Sequence, residues 1–97
     1  MANQIRVTPD ELRNTANSLR RCALSIENDL ADTQKAIDMV IFAWSGDAMN
    51  KYFETIHSKM KDTTELATAL NALASSLEEA ARRIEATESQ IAALFRL

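Results

Sequence analysis

One glycine and one proline are the strongest helix breakers in this 97-residue chain. Pro9 stands near the N-terminus and Gly46 near the midpoint, so long segments can continue as helix without interruption. Residues that favour strands and turns are scarce, whereas Ala, Leu, Glu and Arg are abundant. The sequence therefore predicts an all-α fold with few chain reversals, formed by a single domain over residues 1–97.

The start of the first helix is marked by the segment Val7-Thr8-Pro9-Asp10-Glu11. Thr8 can accept a hydrogen bond from a free backbone N–H, and Pro9 suits the first helical position. Glu11 stands three residues after Thr8 and completes a capping-box pattern. We therefore expect a helix that begins at about residue 8.

Two heptad patterns of small and apolar residues, which we call the first and second seams, run along the chain. The first seam has only one polar member, Thr33, and comprises Leu12, Ala16, Leu19, Ala23, Ile26, Leu30, Thr33, Ile37, Val40 and Trp44. The second seam comprises Met49, Phe53, Ile56, Met60, Thr63, Ala67, Leu70, Ala74, Leu77, Ala81, Ile84, Glu88, Ile91 and Phe95. Alternation of Leu or Ile with Ala allows two helices to approach closely.

The only break between the seams falls at Ser45-Gly46. The sequence predicts a first helix over about 8–43, a turn over 44–46 and a second helix over about 47–95. Two long helices joined by so short a turn fold back as an antiparallel hairpin. Gly46 is expected to adopt a positive φ at the reversal. The second helix is the longer one, so residues from about 84 to 97 are expected to overhang as an arm, fray or pack on another surface.

A hairpin of two helices leaves apolar surface uncovered near this turn, where the first helix is apolar nearly all round. The pattern predicts a homodimer or a heterodimer with a related hairpin, packed as an elongated four-helix bundle. The interface candidates are Ile37, Val40, Ile41, Phe42 and Phe53.

The charged residues argue against several classes of function. The net charge is −3 and both signs are interspersed, which argues against a nucleic-acid site. Pairs such as Arg20-Arg21 and carboxylates such as Glu78 and Glu79 read as solvated helix positions. The chain has no apolar stretch of about 18 residues, so we expect no stable membrane insertion. Its N-terminus lacks a Sec signal pattern, so we expect synthesis in the cytoplasm.

Residues for catalysis or metal binding are scarce. His57 is the only histidine and Cys22 the only cysteine, which rules out paired-histidine metal sites and an internal disulfide. We expect no catalytic residue, no metal, no cofactor and no enzymatic activity. Cys22 is expected to be a small buried hydrophobic residue, the alternatives being an intermolecular disulfide or a reactive thiol.

The Trp44-Ser45-Gly46 motif, placed at the turn of a chain of this length, resembles the W-x-G family of small helical hairpins related to the early secreted antigenic target. The resemblance implies export by a bacterial type VII secretion system as a folded dimer. It also implies that a membrane-anchored secretion ATPase engages the arm. Some members of that family act as the targeting partner of a larger effector or toxin. Trp44 and Gly46 would then form the turn motif.

The resemblance also implies an export signal after the second helix, usually a tyrosine followed four residues later by an acid. The arm contains no tyrosine, but a looser form of that pattern fits Ile84, Glu88, Ile91 and Phe95. Either this degenerate signal suffices, or the chain leaves with a partner that carries a better one. The alternative function, compatible with the long seams alone, is a cytoplasmic helical adaptor or chaperone that is not secreted.

Overall fold

The structure, a computed structural model, describes residues 7–44 and 46–96, with residues 42, 47 and 48 described by their backbone only. Within these residues the chain forms two helices, α1 (Pro9–Ala43) and α2 (Asp47–Leu94). The helices lie side by side in a molecule of 78 × 28 × 14 Å. The predicted all-α antiparallel hairpin is confirmed.

The N-terminus of α1 is capped as the sequence indicates. Thr8 has extended backbone angles, and its hydroxyl accepts a hydrogen bond of 3.1 Å from the N–H of Glu11. Pro9 occupies the start of the helix, where its missing N–H costs no hydrogen bond. Asp10 and Glu11 lie in the first turn, where their negative charges complement the positive end of the helix dipole.

The chain reverses between Trp44 and Gly46. Trp44 ends α1 with extended angles, φ −138° and ψ 128°. Gly46 precedes α2 with φ 151° and ψ 158°, which confirms the expected positive φ. This region of backbone conformation is essentially restricted to glycine. The carbonyl of Gly46 accepts a hydrogen bond of 3.2 Å from the N–H of Asn50 and so begins the helical pattern of α2.

The buried core is narrow and consists mostly of alanine. All its members come from the two predicted seams: Ala16, Ala23, Ile37, Ala67, Ala74 and Ala81. The alanines lie in the part of the hairpin remote from the turn, residues 9–25 and 64–85, which we call the distal half. Their small side chains allow α1 and α2 to pack closely there. The turn half, residues 26–44 and 46–63, carries larger seam residues and encloses less of them.

Candidate functional site

An open apolar groove, the turn groove, lies between α1 and α2 beside the turn. It has a volume of about 510 Å³ and is lined by Thr33, Ala36, Ile37, Val40, Trp44, Met49, Tyr52, Phe53 and Ile56. Trp44 is 62% exposed and Tyr52 is also exposed, so these two aromatic rings are not covered by their own hairpin. Large exposed aromatic groups beside an apolar groove are typical of protein interaction surfaces.

A second groove, the seam groove, continues from the first along the hairpin. It measures about 410 Å³, and its apolar members are Ile26, Leu30, Ile56 and Met60. Its lining also includes three threonines whose hydroxyls donate to the carbonyl four residues earlier: Thr33 at 2.8 Å, Thr55 at 3.1 Å and Thr63 at 2.8 Å. Because these hydroxyl protons are used within their own helices, the groove offers few free donors to a ligand.

The predicted interface residues differ in their exposure to solvent. Val40 and Ile41 are exposed and available to a partner, whereas Phe53 is partly buried in the turn groove. Ile37 is only 6% exposed, because α2 already covers it, so the expectation that it faces a second chain is not supported. The side chain of Phe42 lies outside the described residues.

The distal half carries two ion pairs between the helices. Arg13 donates to Glu85 from both terminal guanidinium nitrogens, with Nη1 at 2.8 Å from Oε2 and Nη2 bonded to Oε1. Arg20 binds Glu78 at 2.5 Å. The hydrogen bond from each arginine lowers the pKa of its glutamate partner, and the same bond raises the pKa of the arginine.

These contacts correct the expectation that Glu78 is a solvated position, because it is paired across the hairpin. Glu79 is exposed as expected, and it accepts hydrogen bonds from Arg82 and Arg83 of its own helix that lower its pKa. Arg20 is likewise paired, and it also donates to the Ser75 hydroxyl at 3.0 Å. The sequence contains a signal for these ion pairs. Arg13 and Arg20 are seven residues apart, and so are Glu78 and Glu85, so opposite charges repeat with the heptad on the two antiparallel helices.

The C-terminal arm remains helical to Leu94 and extends beyond the N-terminal end of α1. Ile84 is partly buried and Glu85 reaches back to Arg13, so contact with α1 extends through residue 85 rather than ending before Ile84. Residues 86–96 are all exposed. Of the predicted signal residues, Glu88, Ile91 and Phe95 therefore lie on the free part of the arm.

Cys22 is exposed, so its predicted burial is wrong. It lies beside the seam residue Ala23 but faces outward, because adjacent residues on a helix point about 100° apart. His57 is exposed as well. Within residues 7–44 and 46–96, no group of three or more His, Cys, Asp or Glu side chains is arranged to hold a metal ion. In the same part of the chain, neither helix has the apolar length needed to span a membrane.

Residues 4–89 match the family model WXG100, described as proteins of 100 residues with WXG. A solved structure, Geobacillus thermodenitrificans EsxA in crystal form I, is similar to the chain with a TM-score of 0.81 and 25% sequence identity. That similarity covers 95% of this chain and 99% of EsxA. Among proteins with curated descriptions, none is significantly similar.

Proposed function

Because the chain belongs to the WXG100 family, we propose that it is itself exported by a type VII secretion system. It leaves the cell as a folded dimer or as the co-secreted targeting partner of a larger effector, and it has no catalytic role. The observation that carries this proposal is the position of Trp44 and Gly46. They stand at the break between two long helices in a hairpin similar to EsxA.

Dimerisation into a four-helix bundle is typical of the family. In this chain the support comes from apolar side chains left exposed by the hairpin, among them Val40, Ile41, Trp44 and Tyr52. Burial of such side chains against a second hairpin removes apolar area from water, which favours association. We propose that both partners contribute the turn half to this interface.

The free part of the arm is the proposed recognition element for the secretion ATPase. Ile91 and Phe95 are exposed on a helical segment, and Glu88 accompanies them three and seven residues earlier. A short helix of this kind can insert its apolar side chains into a groove, while an acidic residue fixes its register. The proposed partners are the secretion ATPase, a larger effector, and a second hairpin that is either a related protein or another copy of this chain.

Export is tested by comparing culture supernatants of the parent bacterium with those of a strain that lacks the secretion ATPase. We expect the chain in the parental supernatant alone, with a cytoplasmic marker absent from both. Retention in the cells of both strains, together with co-purification of a cytoplasmic client, would contradict export and support the adaptor alternative.

The arm is tested with the double variant Ile91→Ser, Phe95→Ser and, separately, with Glu88→Ala. Both are expected to reduce export strongly while circular dichroism shows an intact hairpin, because these side chains make no described contact with α1. The matched control is Ser89→Ala with Gln90→Ala, two exposed positions of the same arm. Export of both variants at the control level would exclude the arm as the signal.

A further inference from the structure

Two isoleucines of the arm, one heptad apart, differ in their exposure. Ile91 is 49% exposed, whereas Ile84 is partly buried. Residues seven apart lie on nearly the same side of a helix, so both isoleucines belong to one face of α2. Within the part of the chain that the structure describes, the element packed against α2 is α1. The start of α1 therefore covers Ile84 and leaves Ile91 open to solvent.

The positions of the helix ends explain this difference. Because α1 ends at Ala43 and α2 begins at Asp47, the start of α1 at Pro9 lies beside about residue 81 of the antiparallel α2. Helical side chains lean toward the N-terminus of their own helix, which brings the side chain of Ile84 back toward the level of Pro9. The next position of the same face is about 10 Å further along α2, beyond the end of α1.

Arg13 and Glu85 join the two helices at this end of the hairpin. Glu85 directly follows Ile84 and stands about one helical turn beyond the start of α1. The guanidinium of Arg13 makes two hydrogen bonds with Glu85, and Oδ1 of Asp10 lies 3.8 Å from its Nη1. The Arg13 and Glu85 side chains lean toward each other because the helices are antiparallel. We call this contact the terminal clamp, and it lies directly beside Ile84.

Arg20 and Glu78 form a similar pair inside the hairpin rather than at its end. Glu78 precedes the fully buried Ala81 by three residues, so this pair lies where α1 still accompanies α2. Loss of this pair leaves the terminal clamp and the cover of Ile84 in place. The two pairs therefore allow a comparison of the same chemistry beside Ile84 and away from it.

Ile84 extends the apolar face that the free part of the arm offers to a receptor. Ile84, Ile91 and Phe95 stand at positions i, i+7 and i+11, a spacing with which an amphipathic helix fills a hydrophobic groove. In the structure Ile91 and Phe95 are exposed, and Ile84 is held against α1. A groove long enough for all three side chains can accept Ile84 only after the first turns of α1 have detached from it.

We propose that the terminal clamp between Arg13 and Glu85 regulates how much of the arm its receptor can bind. With the clamp closed, the chain presents the arm from residue 86 onward; with the clamp open, Ile84 joins the recognised face. This inference rests on the proposed function, in which the arm is recognised during export, and it adds a regulatory contact to that site. Because apparent affinity falls with the fraction of binding-competent molecules, a clamp that favours the closed state lowers the affinity of the receptor for the arm.

Thiol labelling of the full chain tests the clamp without any receptor. In a Cys22→Ser background, the thiol of Ile84→Cys is expected to react with a bulky maleimide about two- to fivefold faster when Arg13→Gln is added, because α1 detaches more often. Arg20→Gln is the matched control, since it removes an interhelical pair and leaves the clamp. The thiol of Ala86→Cys, on the free part of the arm, should react at the same rate in all backgrounds. Equal effects of Arg13→Gln and Arg20→Gln on Ile84→Cys would overturn the proposed clamp.

Export measures the consequence for recognition, with the wild-type supernatant as the reference. Arg13→Gln is expected to raise export about two- to fivefold although it lowers the melting temperature, whereas Arg20→Gln lowers the melting temperature without that gain. A purely stabilising role of Arg13 predicts no gain.

The gain should disappear in an Ile84→Ser background, because the side chain released by opening is then polar. A gain that persists in this background, or export of Arg13→Gln at the wild-type level, would overturn the regulatory role while the proposed function stands. Absence of the wild-type chain from the supernatant would instead overturn the proposed function, and the regulatory role with it.

Discussion

Arg13 and Glu85 are joined by two hydrogen bonds although 72 residues separate them in the sequence. Arg20 and Glu78 form a second pair one heptad closer to the turn, through a single hydrogen bond. Two-pronged arginine–carboxylate contacts restrict geometry more than a single point contact does. The pairs therefore hold the free end of α1 against α2 in a defined register, where the turn is too far away to do so.

Acid is expected to weaken the distal half. The pKa of Glu78 and that of Glu85 are lowered in the folded chain, chiefly by hydrogen bonds from Arg20 and Arg13. Their contribution to stability is therefore complete above the unfolded pKa of about 4.3 and is lost as the pH falls through the lower folded values. Thermal melts at fixed protein concentration should show a lower melting temperature at pH 3 than at pH 7.

The double variant Glu78→Gln, Glu85→Gln separates this effect from general acid denaturation. It should lower the melting temperature at pH 7 and leave a smaller difference between pH 7 and pH 3. Part of that difference should remain, because the pKa of Glu79 is also lowered by Arg82 and Arg83. An unchanged pH dependence in the double variant would show that the pairs do not contribute.

The alanine core predicts low tolerance to larger side chains. Ala74 is fully buried where the helices are closely packed, so Ala74→Leu should destabilise the chain by about 1–3 kcal/mol through overpacking. Ala72→Leu, two residues away and exposed, should change stability by less than about 0.5 kcal/mol. Chemical denaturation at one protein concentration measures both, and equal effects would contradict close packing at Ala74.

Substitution of Gly46 is expected to destabilise the chain through backbone strain rather than through steric crowding. Its φ of 151° is unfavourable for any L side chain, while a Cβ built there would meet no atom within 4 Å. Gly46→Ala and Gly46→Val should each cost about 1–3 kcal/mol in the same denaturation experiment. Asn50→Ala, an exposed position in the first turn of α2, serves as the control. A loss much larger for Val than for Ala would indicate a steric cause instead.

The cap of α1 gives a further quantitative test. Thr8→Ala removes the hydroxyl that accepts from the N–H of Glu11, and the expected loss of stability is about 1 kcal/mol. Thr15→Ala, at an exposed position inside α1, should be neutral or slightly stabilising because alanine is the better helix former. The difference between the two threonines in urea denaturation measures the cap itself.

Local sequence patterns predict much of this fold because the helix limits depend on nearby residues. Thr8 and Pro9 start α1, and Gly46 permits the reversal, all through interactions within a few positions of the chain. The seam residues that become buried, such as Ala16 and Ala74, follow from the heptad alone. These features need no knowledge of how one helix is placed against the other.

The flanks of the seam could not be assigned in the same way. The exposure of Cys22 and the bond from Arg20 to Glu78 depend on the relative rotation of the two helices. A heptad pattern identifies the side that faces the partner helix but does not rank residues at its edges. The signal for these ion pairs is a seven-residue spacing of arginines on one helix that matches a seven-residue spacing of glutamates on the other.

The open space around Gly46 has a consequence for the chirality of the turn. The mirror image of its backbone angles, φ −151° and ψ −158°, lies close to the extended region that ordinary L-amino acids adopt. A D-alanine introduced at this position by chemical synthesis is therefore expected to be less strained than L-alanine, provided that its methyl group meets no neighbouring atom. Among the genetically encoded amino acids, glycine adopts this positive φ at the lowest cost, so few natural substitutions are expected to be tolerated at residue 46.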